Sequence, residues 1–367
     1  MKVEYSYLKE QFKNPEKILK SVEELVREGD FTLGRRVEEF EQKFTRLTHT
    51  KYAIGVSSGT AALYLSLKAL NIHDGEVITP PNTFFATVNA LVAAGAKPKF
   101  VDVGDDYNIN PELIEAAINE HTKAIMPVHL TGRPADMKSI IQIACKYDLP
   151  VVEDAAQAID ARIDNFFVGN FGNAAGFSFH PLKNLNVWGD AGMIVTNDSN
   201  LDILLRELRN QGLKDRDTWI RYGHNLRLAP LQAAVGIHLI EDTIELTEKR
   251  IKNAQDYDSY LGEIKEIKIP QRKSNIREVF HTYVVEVEKR DALHNYLNVH
   301  GIEAKIHYPL PLHLQPATKD MNHKEGDFPN AERQAKRIIS LPVHSYLKEE
   351  EKEYVLAKIR EFYKHEC

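Results

Sequence analysis

Through its first two-thirds the chain alternates short apolar runs with amphipathic stretches of helical period, and that alternation narrows the available folds more than any other feature. Strands are expected over residues 52–56, 76–79, 97–101, 124–128, 150–153, 175–179 and 191–196. Helical patterns lie between many of them, over 60–69, 83–94, 111–119, 135–147 and 200–210. The pattern argues for an α/β architecture in which helices cover a largely parallel sheet. Sheets of this kind bind ligands in the crevice beyond the carboxyl ends of their strands. A long helix over 230–264 leads out of this unit, followed by a strand over 279–288 and helices over 291–300 and 350–364. We therefore expect a large domain over 1–245 and a smaller α+β domain over 246–367. The first thirty residues belong against one of them, and the pattern does not choose which.

Composition removes several function classes. A formal net charge of −6 gives no general electrostatic reason to expect nucleic acid or an anionic membrane as partner. No apolar run approaches a membrane span, and the N-terminus lacks the apolar region of a signal peptide, so a cytoplasmic chain is expected. The two cysteines, Cys145 and Cys367, are too few for a disulfide framework or a cysteine zinc cluster and suit a reducing compartment. None of the fifteen histidines falls in a close-spaced ligand set, and no metal is expected.

Four stretches at expected strand ends carry the chemistry. In "AIGVSSGTAALYLSL", Gly59 permits close backbone approach, and Thr60 with the first helical amides can bind an anion such as phosphate. Taken alone it is equally an ordinary helix cap, and no G-K-[ST] follows to make it a P-loop. In "PPNTFFATVNAL", Thr83 is placed to cap the next helix and Phe84 sits near its mouth, where a ring is either core or a platform for a flat ligand. In "LPVVEDAAQAID", Asp154 emerges at a strand end with Gln157 three residues on. It is either a solvated charge or the partner of a buried cation. In "FSFHPLKNLNVWGDAGMIVTN", Ser178 offers a hydroxyl, and Lys183 is a lone lysine between two apolar strands. A partly desolvated lysine has a depressed pKa and is nucleophilic toward carbonyls.

In that order, together with "MPVHLTGRPADM", "FGNAAGFSFHPLKNL", "GHNLRLAPLQAAVG", "HYPLPLHLQP" and "SLPVHSYLKEEE", these blocks resemble the DegT/DnrJ/EryC1/StrS sugar aminotransferases over nearly the whole chain. The resemblance implies a pyridoxal-phosphate-dependent transferase fold of type I, a three-layer α/β/α large domain with a smaller C-terminal domain. It implies that Lys183 carries pyridoxal 5′-phosphate covalently, Asp154 pairs with its ring nitrogen, Gln157 contacts its ring oxygen and Phe84 stacks on its face. Amides near Gly59, Thr60 and Ala61, with the Ser178 hydroxyl, would hold the phosphate. Asn225 would reach the phosphate of a neighbouring subunit, which implies a homodimer with shared active sites.

The implied reaction moves an amine, usually from glutamate, to a nucleotide-linked keto-hexose; some relatives use inososes or other keto-sugars without a nucleotide. In "KNLNVWGDAG", Gly189 follows Lys183 by six positions, similar to the K-N-L-x-x-x-G-D-G-G of several 3-aminotransferases. Many 4-aminotransferases have a pattern one residue shorter, so a 3-keto acceptor is favoured. Ala191 in place of the commoner glycine, and the bulky Trp188, depart from that pattern. His180, Trp188, Tyr308 and His313 are candidates for the sugar pocket, and Arg227 for a substrate phosphate; ordinary packing is the competing reading for each. Deoxygenating relatives replace the lysine by histidine, against the Lys183 here. A cofactor-binding regulatory relative remains as a rival. A nicotinamide oxidoreductase fits poorly, because "GNFGNAAG" precedes a strand instead of opening a helix after one.

Overall fold

The computed structural model describes residues 1–365. A four-stranded sheet runs in the order Tyr52–Val56, Gly192–Thr196, Ala174–Ser178, Val152–Asp154. A three-stranded sheet runs Thr122–Ile125, Glu76–Thr79, Lys97–Phe100. Parallel bridges from Ile125 to Val151 and from Val128 to Asp154 join the two into one continuous sheet. Within it only Gly192–Thr196 runs against the rest, pairing antiparallel with the strands on either side. The carboxyl ends of the other strands therefore share one edge. There Gly192 stands opposite both Val56 and Ser178, and a side chain on it would strike the Ser58 carbonyl.

Helices cover the sheet because their apolar positions leave no other place to go. In Gly59–Ala69, Ala61, Ala62, Leu63, Leu65, Ser66 and Leu67 are all buried, so this helix is enclosed on most sides. The expected elements recur within a few residues, with two differences. Helix Ala86–Ala94 begins three residues later than expected, because Thr83 turns its hydroxyl to that of Thr87 (2.9 Å) instead of capping. The long helix expected over 230–264 is two helices, Pro230–Leu239 and Thr243–Leu261, divided where the polar pair Glu241-Asp242 interrupts the apolar run.

Beyond them, Ile267–Lys268, Tyr283–Val287 and Ile338–Leu341 form an antiparallel sheet, over which helices Arg290–Val299 and Glu349–His365 pack. Tyr257, Tyr283, Leu293, Leu297, Val355 and Ile359 lie in its core, and so does Val3 from the other end of the chain. The expected division at 245/246 falls near the start of helix Thr243–Leu261. The N-terminal segment serves both cores: Val3 pairs with Ile302, while Ile18 of helix Glu16–Glu28 joins the core beneath the large sheet. Cys145 lies in helix Met137–Lys146, and Cys367 lies outside the described residues. Among the described residues no cluster of His, Cys, Asp or Glu is arranged to hold a metal ion, and no helix is long and apolar enough to cross a membrane.

Candidate active site

At the carboxyl edge of the sheet lies a cavity of about 290 Å³, close to the lower end of the range for small-molecule sites. Its floor is the turn between strand Tyr52–Val56 and helix Gly59–Ala69. Ser58 caps that helix by accepting from the Ala61 amide at 3.0 Å. The Ala61 amide is thus engaged, while those of Gly59 and Thr60 have no protein acceptor among the described residues. Unpaired first-turn amides and the helix dipole together favour an anion. Gly59 is needed for closeness: a Cβ there would lie 2.8 Å from that of Ser178, whose hydroxyl faces the same turn.

Asp154 ends its strand inside this cavity at 5% exposure. Its Oδ2 accepts from Thr87 Oγ1 at 2.8 Å and its Oδ1 from the Ala156 amide at 3.2 Å. Burial nonetheless holds the carboxyl above its ordinary range, opposed by those hydrogen bonds and by the positive charge of Lys183. Behind it, the buried Glu153 accepts from the amides of Gly169, Phe171 and Gly172 and pairs with the His129 ring at 3.0 Å. His129 Nδ1 accepts from the Ala135 amide, so its Nε2 is the nitrogen that donates. This buried network anchors the strand end that presents Asp154.

Lys183 sits on a turn closed by its own amide donating to the His180 carbonyl at 2.8 Å. Its carbonyl accepts from the Tyr7 hydroxyl (2.7 Å) and from Asn186 Nδ2 (3.2 Å). Burial pushes the amine down to about 8, and Asp154 only partly offsets this. Near neutral pH about a tenth is then the free, nucleophilic base, far more than the ordinary value would leave.

The opposite wall comes from beyond the long helices. Tyr308 approaches Phe84 (ring centroids 6.1 Å apart), and its hydroxyl meets Gln157 Nε2 at 3.4 Å, while Gln157 Oε1 accepts from the Thr131 amide at 2.7 Å. Phe84 is 60% exposed and lines the cavity, an apolar face left uncovered. His281 and His307 complete this wall; burial, helped by the nearby Lys183 charge, pushes His307 down to about 4 and His281 well below its usual value.

The structure thus brings Gly59, Thr60, Phe84, Asp154, Gln157, Ser178, His180, Lys183 and Tyr308 around one cavity. It does not bring the other expected residues there. His313 is buried against Glu332 (3.0 Å) and Phe328, and Trp188 packs edge-on against Phe12. Arg227 donates to Asn210 Oδ1 at 3.0 Å, outside the cavity's lining. Asn225, expected at a neighbouring subunit's site and not at this one, is exposed and pairs with the Asn210 backbone. The sequence reading missed Tyr7, Thr87, His281 and His307. For Thr87 a signal existed, since it stands one helical turn after Thr83.

A buried carboxylate short of a cation, two amides short of an anion and an uncovered aromatic face fit the flat, phosphate-bearing, cationic ring that the resemblance implies. Comparison with known proteins agrees. The DegT/DnrJ/EryC1/StrS aminotransferase family matches residues 13–360. A "pleiotropic regulatory protein" of Geobacillus stearothermophilus is 42% identical over 98% of both chains. A dTDP-3-amino-3,4,6-trideoxy-alpha-D-glucose transaminase of Streptomyces venezuelae is 38% identical over 91% of this chain and 89% of its own. The crystal structure of S. venezuelae DesV in complex with a ketimine intermediate superposes with a TM-score of 0.96 at 36% identity, covering 98% of both chains.

Proposed function

The chain belongs to the DegT/DnrJ/EryC1/StrS aminotransferase family, whose cofactor is pyridoxal 5′-phosphate, and we propose that it transfers an amine from glutamate to a nucleotide-linked 3-keto hexose. The observation that carries this reading is Lys183, its amine lowered to about 8, sharing a cavity with the buried Asp154 above two free helix amides. The six-position step from Lys183 to Gly189 supports the 3-keto acceptor, as does the 3-amino sugar in the name of the S. venezuelae relative.

Bound, pyridoxal 5′-phosphate supplies a sink for the electrons left when the amine carbon loses its proton. Gly59, Thr60 and Ser178 would hold its phosphate, Asp154 its ring nitrogen, Gln157 its ring oxygen, Phe84 its face, and Lys183 would attach it. Asp154, fixed by Thr87 and the Ala156 amide, keeps negative charge inside the protein and so favours a protonated ring nitrogen. Lys183 Nζ, once free, takes the proton from the donor's carbon and returns it on the other side of the exchange. The Tyr7 hydroxyl and Asn186 fix the turn from which it acts.

Glutamate incubated with a panel of nucleotide-linked 3-keto and 4-keto sugars, with an inosose alongside, tests the reading. Amination of a 3-keto member at the highest kcat/KM is expected. Preference for a 4-keto sugar, or for the inosose, overturns the acceptor. The name of the G. stearothermophilus relative favours a second reading, a regulatory protein that binds the cofactor without turnover. Steady exchange of amine with glutamate would exclude it.

The proposed assembly is a homodimer with composite sites, in which the exposed Asn225 serves the neighbour's phosphate cup. Mixed dimers of inactive Lys183→Ala and Asn225→Ala subunits should then regain up to about one quarter of wild-type sites, since half the dimers are mixed and each has one intact site. No recovery after confirmed subunit exchange counts against it.

A further inference from the structure

Residues 224–228 form a short extended run wedged between the end of helix Ser199–Arg209 and strand Tyr52–Val56. On one side the His224 amide donates to the Leu208 carbonyl at 2.7 Å, and the Leu226 amide to that of Arg209 at 3.0 Å. On the other, the Ser57 amide donates to the Leu226 carbonyl at 2.9 Å, and Arg227 pairs antiparallel with Val56. The main chain on both sides of Asn225 is therefore fixed. In an extended run successive side chains face opposite ways. Leu226 packs inward on the cluster of Ile54, Val56, Ala61 and Leu65, so His224 faces inward too and Asn225 faces out. The inward histidine meets Tyr64 of helix Gly59–Ala69. The phenol oxygen lies 2.9 Å from its Nε2, and the rings stand edge to face with centroids 5.2 Å apart. Tyr64 does not line the cavity of its own chain, and the Asn225 side chain has no hydrogen bond among the described residues.

We propose that Tyr64 and His224 are positioning residues for the neighbouring subunit's cofactor phosphate: their contact sets the direction in which Asn225 leaves its own chain. The inference rests on the reading of Asn225 as a phosphate ligand in trans. An asparagine amide offers its N–H donors only along fixed directions, and a hydrogen bond weakens steeply as its angle closes. A turn at the root of the segment is therefore felt at its tip. The rival is action in cis, since the helix that bears Tyr64 also turns its first amides to its own phosphate cup.

Two arrangements of mixed dimers separate trans from cis. Each is assembled from differently tagged subunits, stripped, and reloaded over a range of pyridoxal 5′-phosphate concentrations. Borohydride then fixes the cofactor on Lys183, and peptide mapping measures its occupancy. The Tyr64→Phe homodimer should need about fivefold more cofactor for half-loading, the loss of one neutral hydrogen bond. Pairing a Tyr64→Phe subunit with a Lys183→Ala subunit leaves the only lysine opposite an intact Tyr64, and loading should return to within about twofold of wild type. Placing both changes in one subunit, beside a wild-type one, leaves the only lysine opposite the damaged Tyr64, and the fivefold rise should persist. The reverse pattern, or loading like wild type throughout, overturns the proposal. His224→Phe tests the contact from its other side and decides the matter if Tyr64→Phe does not fold. His224→Gln keeps a hydrogen-bonding partner for the phenol and should load better than His224→Phe; equal loss in the two counts against the contact. Asn225→Ala is run in the same two arrangements. If it weakens loading in neither, the reading of Asn225 fails and the inference with it. If it weakens loading in trans while the Tyr64 and His224 variants do not, the inference fails alone.

Discussion

One wall of the cavity comes from the carboxyl ends of the sheet strands and the other from residues 281–308, and they treat charge in opposite ways. The sheet wall concentrates it. Asp154 is buried yet held by a hydroxyl and an amide, and Lys183 faces it from a turn pinned at its carbonyl. The far wall suppresses charge: burial drives His307 down to about 4 and His281 lower than usual, and it keeps the Tyr308 phenol protonated. Proton transfer therefore belongs to the sheet wall, while the far wall supplies shape, excludes water and strengthens the electrostatics opposite.

The largest expected effect breaks the sheet wall at its base. Lys183→Ala should lower kcat/KM by at least about 10³-fold and remove the covalently attached cofactor, read by borohydride reduction and peptide mapping. Attachment elsewhere would end the assignment. The wild-type amine also predicts a pH dependence. With its folded pKa at about 8 instead of 10.5, the nucleophilic free base is minor below 8 and dominant above. Reloading of stripped protein should accelerate as pH rises through about 8 and level off above it; a rise that continues toward 10.5 contradicts a desolvated amine.

Asp154→Asn should keep much of the cofactor but slow transamination by about 10²-fold, since about 2–3 kcal/mol of charge stabilisation is lost. Near wild-type turnover would mean that another group balances the ring. Thr87→Val removes one hydrogen bond to that carboxylate and should cost about tenfold in kcat, with little change in KM. On the far wall, His307→Phe should cost less than about fivefold and leave the pH–rate profile unmoved between pH 6 and 8, because His307 is already neutral there. A limb that shifts in that interval on substitution would erase the contrast between the walls.

The sheet wall was legible in the sequence because each of its parts is local. A strand end followed within a few residues by Ser-Gly-Thr, by Asp154 and Gln157, or by Lys183 needs only the strand to be identified. The resemblance to a family then supplied their roles. The far wall was not, since what makes His281 and His307 part of a site is burial by segments remote in sequence. Tyr7 touches the lysine turn across 176 positions, beyond the reach of any periodicity. Trp188 and His313 show the converse. Each lies near an informative block, yet Phe12 and Glu332 claim them, and nothing in their own neighbourhood announces those partners.

The N-terminal strap also sets an order of events for the growing chain. Val3 pairs with Ile302 and the Tyr7 hydroxyl clasps the Lys183 turn. At about 5–20 residues per second, residue 302 is synthesised roughly 15–60 s after residue 3, so the first residues made wait longest for their partner. The large sheet can form on the ribosome with its lysine turn still loose. Catalytic competence is then a late acquisition, gained when the last third of the chain gives the beginning something to fasten to.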